Sequence, residues 1–88
     1  MLREQVQWFA EQMEKKLQEN DRKGGWEGCN LHWLIERIEI ETKELRTAVN
    51  LYMSLRDPKE KINIIKEAAD IANFAMMIAD IVRKYSKD

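Results

Sequence analysis

Cysteine and proline occur once each in this 88-residue chain, and glycine three times. A lone cysteine, Cys29, forms no internal disulfide and has no cysteine partner for a zinc site. That usage points to a reducing compartment, hence the cytoplasm. No apolar run approaches the length that spans a bilayer, and Met1-Leu2-Arg3-Glu4-Gln5 turns polar too early for a signal peptide. Net charge is nearly absent too: 15 basic and 16 acidic residues give −1, so the footprint of a duplex nucleic-acid binder is missing. Gly24-Gly25 follows no strand pattern and lacks a Gly-Lys-Ser/Thr ending, which excludes a P-loop. Neither a membrane nor a nucleic acid is expected as a partner.

What is present is 44% hydrophobic and 35% charged sequence, well mixed, as in an ordered single domain over residues 1–88. The glycines cluster at 24–28 and the proline stands at 58, dividing the chain into three segments. In the first, Leu2, Val6, Phe9, Met13 and Leu17 recur at helical spacing, predicting an amphipathic helix from about Leu2 to Asn20. Lys15 and Lys16 fall on its other faces. The second segment follows Asn30, a good N-cap, and carries Leu34, Ile38, Leu45, Ala48 and Tyr52 as its stripe to about Leu55. The third opens on Asp57-Pro58-Lys59-Glu60, which supplies an N-cap, a first-turn proline and a glutamate placed to close a capping box. It should run to about Lys84. From Ile71 to Val82 it is apolar nearly all round, so two other helices can hardly cover it. The predicted fold is all-α: an antiparallel bundle of three helices per chain, completed by oligomerisation as a homodimer or homotetramer.

Acidic pairs at i, i+3 lie on one helix face, close enough to share a cation. Glu11/Glu14, Glu36/Glu39, Glu41/Glu44 and Glu67/Asp70 have that spacing, and position sorts them. Glu11/Glu14 and Glu36/Glu39 lie away from the apolar stripes and read as solvated. Glu41 lies about 20° from the centre of its helix's stripe, where a leucine would be expected. Glu44 is on the flank, and Glu67 and Asp70 share a side with Phe74, Met77 and Ile81. Buried carboxylates must be neutralised, paired or bound to metal. A hard divalent cation suits four such oxygens; Mg2+ is favoured because it keeps waters and bridges phosphates, and Mn2+ fits the same ligands. The bland alternative is a half-buried ion pair of Glu41 with Arg37 or Lys66, the other acids being solvated. Trp26, Asn73 and Lys66 are candidate contacts to a base, sugar or phosphate. Trp33 reads as core packing, Cys29 as structural, and His32 as solvated or packed.

The two motifs Glu41-Thr42-Lys43-Glu44 and Glu67-Ala68-Ala69-Asp70, with Trp33-Leu34-Ile35-Glu36-Arg37 before the first, Ile71-Ala72-Asn73-Phe74-Ala75-Met76-Met77 after the second, and Gly24-Gly25-Trp26 upstream, resemble the MazG-like nucleotide pyrophosphohydrolases. The resemblance runs from about Gly24 to Val82. The sequence departs from the family at Ile40 and Lys43, where further acids are common, and in having three helices where many members have more. The resemblance implies a magnesium-dependent hydrolase that cleaves a nucleoside triphosphate between its α- and β-phosphates, giving monophosphate and pyrophosphate. It implies Glu41, Glu44, Glu67 and Asp70 as ligands, with Glu41 a candidate general base. Alternatives are a related pyrophosphohydrolase acting on a phosphoribosyl-nucleotide or dUTP, or a non-enzymatic helical oligomerisation or regulatory module with a vestigial site.

Overall fold

The computed structural model describes residues 1–85. Three α-helices, α1 (Glu4–Glu19), α2 (Leu31–Leu55) and α3 (Pro58–Arg83), are joined by a loop that starts with a 3-10 turn at Asp21–Lys23 and by the pair Arg56-Asp57. No strand occurs among the described residues.

The helix boundaries have local causes. Asn30 Oδ1 accepts hydrogen bonds from the backbone N–H groups of His32 and Trp33 at 2.8 and 3.1 Å, which satisfies two donors that α2 leaves free at its start. Asp57 does the same for Lys59 N–H at 2.9 Å, with Pro58 in the first helical position. The capping box does not close: the Glu60 carboxylate meets the Asn63 amide at 3.5 Å instead. Between these helices Arg56 adopts a left-handed φ of 56° and donates its N–H to Tyr52 O at 2.8 Å, terminating α2. α1 begins at Glu4 rather than Leu2, and Leu2 stays exposed.

α3 is the central element. It packs against α2 and against α1, whereas α1 and α2 do not pack on each other. The core is small: Leu34 and Ala48 from α2 meet Ala69 and Ile81 from α3, and α1 has no fully buried residue. Phe9, Met13 and Leu17 of α1 are half-buried. Many large apolar side chains remain exposed, among them Trp8, Ile35, Leu51, Leu55 and Ile62. No helix among the described residues is long and apolar enough to cross a membrane.

Because α1 and α2 do not pack on each other, a cleft of about 550 Å³ opens between them with α3 as its floor. The connecting loop, from Asn20 to Cys29, lines one part of it.

Candidate functional site

The buried residues of α2 are Leu34, Glu41 and Ala48, spaced by sevens along one face. The middle member is a carboxylate, only 7% exposed. From α3, Glu67 and Asp70 come to meet it, one helical turn apart. One oxygen from each of Glu41, Glu67 and Asp70 lies within 4.8 Å of the other two. Glu44 is exposed and stands outside this trio, although its carboxyl is near enough to act on Glu41.

Two cations serve this group. The Arg37 guanidinium reaches Glu41 Oε1 at 2.8 Å and lies over the Phe74 ring at 5.9 Å, so the anticipated Arg37 pair is present. Lys16 Nζ stands 3.6 Å from Asp70 Oδ1. Among the described residues Glu67 has no cationic partner, and its Oε2 is buried without a hydrogen bond. The electrostatics follow. Burial, and then hydrogen-bonding contact with Glu67 and Glu44, push Glu41 up to about 7. Asp70 is also raised, burial winning over the nearby Lys16 ammonium. For Lys16, burial pulls downward, yet Asp70 and Glu19 together hold the ammonium above its ordinary value.

Carboxylates crowded like this repel one another unless a proton or a cation intervenes. The orphaned Glu67 Oε2, the three converging oxygens and the all-oxygen donor set could hold a hard metal ion. Glu41 and Asp70 line the cleft, so an ion held here faces the space where a ligand would lie.

The rest of the cleft is aromatic and basic. Trp26, Trp33, Phe74 and Met77 line it together with Lys16, Lys23 and Arg37. Trp33, expected in the core, is instead 49% exposed on the cleft wall, edge-on to Phe74 with centroids 6.4 Å apart. It sits one position before Leu34, which turns it about 100° away from the packed stripe. Asn73 is only 4% exposed; its Nδ2 donates to Met13 O of α1 at 3.0 Å, and its Oδ1 has no partner. It is therefore a helix contact with one acceptor left over beneath the cleft. Lys66 does not line the cleft; it is exposed beside a separate cavity of about 80 Å³. Its place one residue before Glu67 rotates it by about 100° away from the acids.

Two residues were missed by sequence reasoning. Lys16 was assigned to the polar side of α1, but it flanks the Met13–Leu17 stripe and so reaches Asp70. Asp80 is 8% exposed and accepts from Trp26 Nε1 at 3.0 Å, Arg83 Nε at 2.7 Å and Lys84 Nζ at 3.0 Å. Its signal was available: Asp80 is the one charged residue between Ile71 and Val82.

No protein-family model, no curated protein sequence and no solved structure matches the chain.

Proposed function

We propose that the chain is a magnesium-dependent nucleoside triphosphate pyrophosphohydrolase of the MazG-like kind, releasing pyrophosphate and a nucleoside monophosphate. The observation that carries this is the convergence of Glu41, Glu67 and Asp70 beside a cleft that also holds basic and aromatic side chains. Glu41, Glu67 and Asp70 would hold the ion, with Glu44 as the flanking fourth acid. Magnesium, once bound, would supply charge neutralisation on the phosphate oxygens and polarise water for attack.

The chain's own groups cover the remaining tasks. Lys16, Arg37 and Lys23 line the cleft and can neutralise phosphate charge. Trp26, Trp33 and Phe74 offer flat apolar faces to a base. Glu41 also lines the cleft and would be the candidate to take a proton from the attacking water. The frame would be an antiparallel three-helix bundle whose exposed apolar residues, such as Leu51, Leu55 and Ile62, are covered by further copies of the chain.

Magnesium-dependent pyrophosphate release should be measured over a panel of ribo- and deoxyribonucleoside triphosphates, with dUTP and a phosphoribosyl-nucleotide included. Turnover of at least one supports the assignment; a folded chain that turns over none of them removes it. The same exposed apolar residues, together with the Arg37–Glu41 and Lys16–Asp70 pairs, favour the second reading, a non-enzymatic oligomerisation module. That reading requires magnesium to leave the melting temperature unchanged. An ion binding only the native state at a hundredfold over its Kd instead adds about 2.7 kcal/mol of stability.

A further inference from the structure

We propose that Asp80, which does not itself line the cleft, is a positioning residue that holds Trp26 at the cleft wall and so sets the grip on a flat aromatic ligand. That the ligand is the base of a nucleotide rests on the function proposed above; the tether itself does not.

Asp80 is nearly as buried as Glu41 and needs compensating donors. It has three, of which Arg83 and Lys84 belong to the same end of its own chain segment. Only the Trp26 indole comes from elsewhere, 54 residues distant in sequence. Arg83 Nε holds Oδ1, and Oδ2 is shared by Lys84 Nζ and the Trp26 indole, so the acceptor is fixed on α3. These contacts keep Asp80 ionised down to about pH 2, so the acceptor persists throughout the physiological range.

The loop, by contrast, is held by little else. Its backbone hydrogen bonds are local, Gly24 N–H to Asp21 O at 3.1 Å and Cys29 N–H to Trp26 O at 2.9 Å. Gly24 takes a φ of +89°, and a Cβ built on Gly24 or Gly28 would meet open space. Among the described residues, the indole-to-Asp80 bond is the one side-chain hydrogen bond that ties residues 24–29 to a helix remote in sequence. Trp26 lines the cleft beside Gly24, Gly25 and Cys29. A ring pinned at its nitrogen presents a fixed face; the same ring on an untethered loop must be ordered by the ligand, which weakens binding.

The test uses the whole chain with Trp8→Phe and Trp33→Phe, so that Trp26 is the sole indole, and reads its quenching by acrylamide. Asp80→Ala should raise the quenching severalfold. Asp80→Asn keeps a carbonyl acceptor for the indole and should restore most of the protection. In the chain with all three tryptophans, Asp80→Ala should raise KM roughly three- to tenfold with kcat little changed, the worth of one hydrogen bond. Trp26→Phe keeps a ring but loses the donor, and should raise KM similarly. Adding Asp80→Ala to it should then cost nothing more, as expected for two ends of one interaction. Unchanged quenching in both Asp80 variants overturns the proposal. So does a loss of kcat at constant KM, or additive effects of the two substitutions. If the unaltered chain neither binds nor cleaves any nucleotide, the proposed activity falls, and the quenching series alone decides whether Asp80 holds Trp26.

Discussion

Glu41 and Asp80 are both interior carboxylates, 7% and 8% exposed, yet their proton affinities move in opposite directions. Glu41 is pushed up to about 7, whereas Asp80 is pulled down to about 2. Exposure alone does not separate them: burial is the largest push on Glu41 and its acidic neighbours add to it, whereas at Asp80 three donors outweigh burial. Asp80 has an indole and two cations around it. Glu41 has one guanidinium against the carboxylates of Glu67 and Glu44. A carboxylate surrounded by donors is a fastening, content as an anion. One surrounded by other carboxylates holds a proton until something more positive replaces it.

The largest effect that follows concerns turnover. Removing the unpaired acid with Glu67→Ala should lower magnesium-dependent pyrophosphate release by on the order of 10²-fold or more, the scale seen when one charge-stabilising group is lost. Apo stability, read as Tm, should hold or rise, because crowding of like charges is relieved. A Glu67→Ala chain that melts early but keeps its specific activity would make the acids structural. Asp80→Ala should show the reverse pattern, a lower Tm with kcat largely kept.

Acidity distinguishes the two residues next. The folded state raises Glu41 above its ordinary 4.5 to about 7, so in that window the folded chain keeps a proton that the unfolded chain has released. Without magnesium, Tm should therefore fall as pH rises from about 4.5 through about 7, and magnesium should remove most of that fall. Glu41→Gln should flatten the slope. Asp80 is depressed from 3.8 to about 2, so its stabilisation is present above 3.8 and is lost as pH drops towards 2. A Tm that stays flat with pH between 5 and 7 in the absence of metal would show that Glu41 is an ordinary paired anion.

The smallest effect isolates the loop from both acids. Asn30→Ala removes the cap of α2 next to the loop and should cost about 1 kcal/mol in urea unfolding, with KM and kcat unaltered. Any shift in KM would mean that the start of α2, and not Asp80 alone, places the loop.

The fold was legible where the chemistry is local. The starts of α2 and α3 follow from Asn30 and from Asp57-Pro58, each acting within three residues, and both helices begin where those residues place them. Periodicity identified Glu41 as an interior carboxylate, because Leu34 and Ala48 stand a heptad on either side. Periodicity says less about flanks. Glu44 and Trp33 lie at the edges of the α2 stripe, where the neighbouring helix decides exposure, and both are exposed. Lys16 shows the same limit on α1. The Trp26–Asp80 bond joins residues too far apart for any local pattern to couple them. Only the oddity of an aspartate in an apolar run pointed towards it.

Helix α1 has one further consequence. Two polar ties fasten it to α3, the Asn73 amide on Met13 O and the Lys16 ammonium on Asp70. A divalent ion seated at Asp70 competes with that ammonium for the same oxygens. Loading the acids would therefore weaken the Lys16 clasp on the helix that has no fully buried residue, and leave the amine free to meet an incoming anion. Filling the site and loosening one of its walls would then be a single event.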